Sequence, residues 1–199
     1  FDFVFNSGKW WNYREDWFLD QARPMVGKTR SICFPESHDT RRLAEEWGGD
    51  ANRVKQHYLF TALISSGVMV LVGFEYGFRR KPHVVSSNPF EWEGAQYDLT
   101  DYLREVNALK LAHRVFQEDN RIDRLDAGHG DVLALRKTTL DGRESVLMLF
   151  NLTGSDQEVR IGTLLKTLNA PSLEPLPLPG APAPAALRLR PWGAGIVKL

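Results

Sequence analysis

Residues 68–72, Val-Met-Val-Leu-Val, form an unbroken apolar run rich in β-branched side chains. A strand of that composition has no polar face to offer to water. It must be covered on both sides, which is the condition of a parallel strand lying between layers of helix. Parallel strands in turn need a crossover of a dozen or more residues, usually a helix. The chain ahead of the run supplies such pieces in alternation. Phe1–Phe5 (Phe-Asp-Phe-Val-Phe) and the tail Ile32-Cys33-Phe34 read as strands. Between them lies an aromatic segment, Trp10, Trp11, Tyr13, Trp17 and Phe18, with Glu15 and Asp16 at a helix start and Pro24 and Gly27 at its end. Trp17 and Phe18 read as core, and Trp10 and Trp11 are open as stacking platforms.

Asp50 is a fair N-cap for a second helix, in which Val54, Tyr58 and Ala62 recur every four residues beside Leu59 and Leu63. After the apolar run, residues 78–97 form a long polar and aromatic loop, and Asp98 opens a helix carrying Leu99, Tyr102, Leu103, Val106 and Leu109. From Asn120 the texture changes to short β-like segments at 121–126, 132–138, 145–152, 157–161 and 187–199, with turns such as Asp141-Gly142. Residues 171–186 hold six of the eleven prolines and read as a loop with no strand of its own. The expected class is α/β followed by all-β, with residues 1–118 as three βα units and residues 119–199 as a small antiparallel domain.

The polar residues Glu36, Ser37, His38, Asp39, Thr40, Arg41 and Arg42 crowd together just past a strand end, where Pro35 stops regular pairing. A carboxylate accepts hydroxyl hydrogen bonds and favours nearby positive charge, and an imidazole donates to hydroxyls. Taken alone, an adjacent His-Asp pair is equally at home in a solvated turn.

The longer string Phe34-Pro-Glu-Ser-His-Asp-Thr-Arg-Arg42 resembles the seventh-strand signature of the α-amylase family of glycoside hydrolases and transglycosidases, and Gly73-Phe-Glu-Tyr-Gly77 resembles that family's eighth-strand motif. The resemblance implies the last three units of a (β/α)8 TIM barrel followed by a small antiparallel β-sandwich domain. It implies a catalytic role for Asp39, supporting an oxocarbenium-like transition state, and substrate binding by His38. Arg42 matches the Arg of the motif's extension and is expected to bind substrate. Glu75 is expected either to bind substrate or to orient the barrel rim. Retaining chemistry uses a nucleophile and an acid on two flanking carboxyl groups, which in the family follow the fourth and fifth strands. Neither motif is in this sequence.

A C-terminal piece of a longer enzyme, inactive by itself, is therefore expected. Its partners would be an α-1,4-linked glucan or maltooligosaccharide, the missing N-terminal part of the parent chain, and a second copy through self-association. A maltosyltransferase of glycogen metabolism using maltose 1-phosphate, and a non-catalytic glucan-binding module, are the alternatives. Acidic and basic residues number 25 each, without a block of like charge, which speaks against nucleic acid and against an anionic membrane. The single Cys fits a cytoplasmic enzyme, with secretion left open. No metal site and no cofactor are expected: no aspartate-rich loop offers a calcium ligand set.

Overall fold

The computed structural model describes residues 1–128, 130–159, 164, 168, 174–176, 178 and 188–199. Three strands, β1 (Phe3–Ser7), β2 (Arg30–Phe34) and β3 (Gly67–Val68), form a parallel sheet in that order, so β2 is central. A 3-10 turn (Gly8–Trp10) and helix α1 (Trp17–Ala22) lie between β1 and β2. Helices α2 (Leu43–Glu46) and α3 (Ala51–Ile64) lie between β2 and β3, and α4 (Thr100–Ala112) follows. Asp50 caps α3, its carboxylate accepting from Asn52 N at 3.0 Å and Arg53 N at 3.2 Å. Asp98, expected to open α4, stands one residue ahead of its N-cap Leu99 and accepts from the Thr100 backbone N–H and hydroxyl.

The strand expected over residues 68–72 is shorter than its composition suggests. Pairing stops at Val68, and one further bond, Met69 N to the Cys33 carbonyl at 2.9 Å, continues the direction. Beyond it the backbone turns into Gly73–Gly77. Gly73 has φ +81°, and a Cβ there would lie 2.1 Å from the Phe78 ring. The Val72 carbonyl leaves the ladder and accepts from Arg42 instead.

Downstream, β4 (Arg121–Leu125), β5 (Val132–Thr138), β6 (Ser145–Asn151), β8 (Glu174–Leu176) and β10 (Ala194–Lys198) form an antiparallel sheet in the order β4-β5-β6-β10-β8. A separate pair joins β7 (Gln157–Glu158) to β9 (Arg188–Leu189). The proline-rich segment does contain a strand. In β8, Pro175 stands opposite Val197, and β8 is the edge of the sheet, where a missing N–H leaves no neighbour unpaired. Apart from Leu178, the rest of the expected loop over 171–186 lies outside the described residues.

The five-stranded sheet is apolar on both faces. Leu133, Leu135, Val146, Met148, Phe150 and Ile196 join the core built on α3, where the Phe60 and Phe150 rings meet edge-on at 5.1 Å. The alternate residues Val132, Ala134, Leu147, Leu149 and Val197 pack into a second cluster with Val159 and Leu189. Helix α3 is consequently buried all round from Gln56 to Ile64, rather than on one face as its periodicity suggests. The expected division at 118/119 falls just before β4, and the apolar core runs across it.

Two lysines seal the end of α3. Lys110 Nζ donates to the carbonyls of Ala62, Ser65 and Phe116, and Lys137 Nζ, reaching over from β5, donates to Leu63 O at 2.7 Å. Both ammonium groups sit where the helix dipole is negative and the last carbonyls lack partners. Burial lowers both pKa values, that of Lys110 to about 8.

The other face of the parallel sheet is open. The register puts Phe3, Phe5, Ile32 and Phe34 on one side. Phe3 and Phe5 are exposed, and Ile32 and Phe34 are half-buried.

Candidate active site

Because all three strands point the same way, the segments after β1, β2 and β3 emerge at one end of the sheet, and the 36–42 loop sits between the other two. The loop is built around a tight turn. The Thr40 backbone N–H and hydroxyl both donate to Ser37 O, Thr40 Oγ1 accepts from Ser37 N at 3.1 Å, and Ser37 Oγ accepts from Asp39 N at 3.2 Å. These bonds hold His38 and Asp39 at the tip. The Asp39 side chain is 79% exposed, and its Oδ2 lies 3.3 Å from His38 Nε2. Lys81, from the loop after β3, donates to the Asp39 carbonyl at 3.0 Å.

Beneath the tip lies a buried ion pair. Arg42 Nε is 2.9 Å from Glu36 Oε1, both side chains being 2% exposed or less. Arg42 also donates from Nε to Phe78 O and from its two terminal nitrogens to Val72 O, at 3.1–3.2 Å. Glu36 Oε2 accepts from Leu43 N at 2.7 Å, tying the loop to the first turn of α2. Burial raises the Glu36 pKa against the opposing pull of Arg42, and burial lowers that of Arg42. Arg42 is expected above to contact substrate. The structure buries its guanidinium beneath the loop, where it joins the turn after β2 to the turn after β3.

Glu75 is half-buried on that second turn, and its backbone carbonyl accepts from Leu99 N at 2.8 Å. The following loop is closed at its base by Glu93, whose carboxylate accepts from the backbone N–H groups of Arg79 and Arg80. It presents Val84, Val85, Phe90 and Trp92 to solvent.

The site thus brings His38 and Asp39 together, keeps Arg42 buried beneath them and leaves Glu75 half-buried on the turn after β3. Glu36 is named from sequence only among the polar residues crowded past the strand end, without a role. The signal for Glu36 was present, a carboxylate between a strand-ending proline and an Arg six residues on. Asp39 is an open carboxylate, whereas Glu36 is enclosed by Arg42. Among the described residues, no group of three His, Cys, Asp or Glu side chains is placed to hold a metal ion, and no helix is long and apolar enough to cross a membrane.

The chain is similar to the α-1,4-glucan:maltose-1-phosphate maltosyltransferase of Burkholderia pseudomallei (strain K96243), at 30% identity over 135 residues, 63% of this chain and 12% of that protein. It superposes over its whole length on 49% of the α-amylase from H. orenii, with a TM-score of 0.65 and 15% identity. Both comparisons support the resemblance to the α-amylase family, whose fold this chain shares. Other solved structures with the same fold are Amy13B of Eubacterium rectale (TM-score 0.67, 14% identity, 90% of this chain and 41% of that one) and AmyP in complex with maltose (TM-score 0.65, 16% identity, 92% and 43%). No family model matches the chain. It spans about an eighth of the curated relative and less than half of each of these α-amylase-family structures.

Proposed function

We propose that the chain is the C-terminal part of an α-amylase-family enzyme that cleaves or transfers α-1,4-glucosidic bonds with retention, and that residues 1–118 are the last three units of its barrel and 119–199 its β-sandwich domain. The observation that carries the reading is the position of Asp39: an open carboxylate at the tip of the loop after the central strand of a parallel sheet, on the end of the sheet where barrel enzymes keep their chemistry.

In this reading Asp39 faces the sugar cation as it develops, and His38 donates to a ring hydroxyl. Arg42 and Glu36 fix the loop from below without touching substrate. Glu75 holds the start of α4 through its carbonyl and keeps its carboxylate at the rim. The nucleophile and the acid come from sequence outside these residues, so the chain alone turns over no glucan. The 30% identity to a maltosyltransferase favours transfer from maltose 1-phosphate as the second reading.

The test is made in the intact enzyme. Asp39→Asn is expected to lower kcat far more than it raises KM, and product analysis with and without maltose 1-phosphate separates transferase from hydrolase. A kcat within a few-fold of the parent removes Asp39 from the chemistry.

A further inference from the structure

The segment Gly8-Lys9-Trp10-Trp11 leaves the end of β1 beside the Asp39 loop, and three of its four residues are buried. Gly8 is pressed against the top of β2 and α3. A Cβ there would lie 3.1 Å from Thr61 Oγ1 and 3.4 Å from the Phe34 carbonyl, the last residue of β2. Lys9 turns inward, with a side chain 1% exposed, and pairs with Glu46 on α2, the helix that begins directly after Arg42. Trp11 is 6% exposed, meets the Phe18 and Phe60 rings, and donates its indole N–H to Gln21 Oε1 at 2.8 Å. Trp10 is the exception, at 64% exposed. Its two neighbours are anchored inward in opposite ways, one by charge and one by packing, so its indole is held out at the end of the sheet that carries His38 and Asp39.

A large apolar ring held in water gains free energy when a flat apolar surface covers it. Here the backbone beneath it is already fixed, so a ring stacking on it meets little further ordering cost. The face of a pyranose, a patch of C–H groups edged by hydroxyls, matches an indole, which offers a flat apolar surface with a polar N–H at its edge. We infer that Trp10 is a sugar-stacking platform on the β1 side of the Asp39 loop, holding one glucosyl unit of an α-glucan while His38 and Asp39 act on the reacting unit. The inference rests on the glucan reading above and deepens it. It makes Trp10 a substrate-binding residue and assigns it no part in bond making or breaking.

The experiment uses the intact enzyme with Trp10→Ala and Trp10→Phe. Trp10→Ala is expected to raise KM for maltoheptaose by about tenfold, the span of one buried aromatic contact, with kcat within twofold of the parent and the melting temperature unchanged. Trp10→Phe, which keeps a flat ring, is expected to recover most of the affinity. Direct titration of maltoheptaose into Asp39→Asn enzyme, with and without Trp10→Ala, reads binding apart from turnover. Equal affinity in the two proteins overturns the inference and leaves the function standing, and absence of any glucan binding in both overturns the two together. A loss of affinity that follows a fall in melting temperature, with no recovery in Trp10→Phe, makes Trp10 structural and also overturns it.

Discussion

Removing Arg42 provides the sharpest test of how the site is held. Arg42→Met keeps the length and apolar stem of the side chain and deletes the guanidinium. It leaves the Glu36 carboxylate buried without its cation and the Val72 and Phe78 carbonyls without their donor. Breaking one side of a buried ion pair typically costs about 3–5 kcal/mol, because the remaining charge is uncompensated. Each orphaned carbonyl adds roughly 1–3 kcal/mol less whatever water recovers. A loss of about 4 kcal/mol is expected in urea denaturation followed by circular dichroism, a large share of the ~5–15 kcal/mol that holds a domain together.

The second arm is Glu36→Gln with Arg42→Met. The amide oxygen still accepts from Leu43 N, and no charge remains, so the pair is expected to lose at least about 1.5 kcal/mol less than the sum of the single changes. A pH dependence follows as well. Burial already raises the Glu36 pKa with Arg42 present, and without Arg42 it rises further. A carboxyl whose folded pKa exceeds its unfolded value binds its proton more tightly when folded, so its contribution to stability is lost as pH rises through that range. The Arg42→Met defect should therefore be smaller at pH 5 than at pH 8. Additive single changes, or a cost below about 1 kcal/mol, would refute the claim that this pair fixes the loop.

Other outcomes are expected. Asp39→Asn in the intact enzyme should lower kcat by two to three orders of magnitude, on the order of 2.7–4 kcal/mol for one electrostatic stabiliser, while His38→Ala should act mainly on KM; steady-state kinetics decide. Lys110 has a folded pKa of about 8 against an ordinary 10.5, so the folded state binds fewer protons between those values and stability should gain from it as pH rises. Cys33, pushed up to about 11 by burial, opposes this above pH 9; urea midpoints at pH 8 and 9 should rise less in Lys110→Met than in the parent. The open face carrying Phe3 and Phe5 should make the isolated chain self-associate and bind an apolar dye, both weakened by Phe5→Lys; a strictly monomeric chain with little dye binding would show that this face needs no cover.

Elements set by local chemistry were legible in the sequence. The α3 cap at Asp50, the strand at 132–138 and the order of strand and helix all follow from side chains within a few positions. What escaped was set by distant partners. The 68–72 run pairs only as far as Val68, and Arg42, thirty residues before Val72, takes the carbonyl at its far end. β8 forms in a proline-rich stretch because β10 offers an edge. Trp10 and Trp11 are identical in composition and adjacent, and only the pull of Glu46 on Lys9 and of Phe18 and Phe60 on Trp11 separates one fate from the other. Arg42 stands in a motif that suggests a ligand, and its burial becomes visible only when the two turns it joins are folded together.

Lys137 belongs by sequence to the antiparallel sheet and by contact to the end of α3, and Phe150 likewise lies against Phe60. Residues 119–199 are thus not an appendix that recombination can trade between relatives as a unit. A foreign sheet would have to bring a cation to the same helix end and a ring to the same groove, or the acceptor would be left with open carbonyls and a bare helix. Changes on the inner side of this sheet and on α3 should therefore travel in company during divergence, while the outer side, facing Val159 and Leu189, is free to drift on its own.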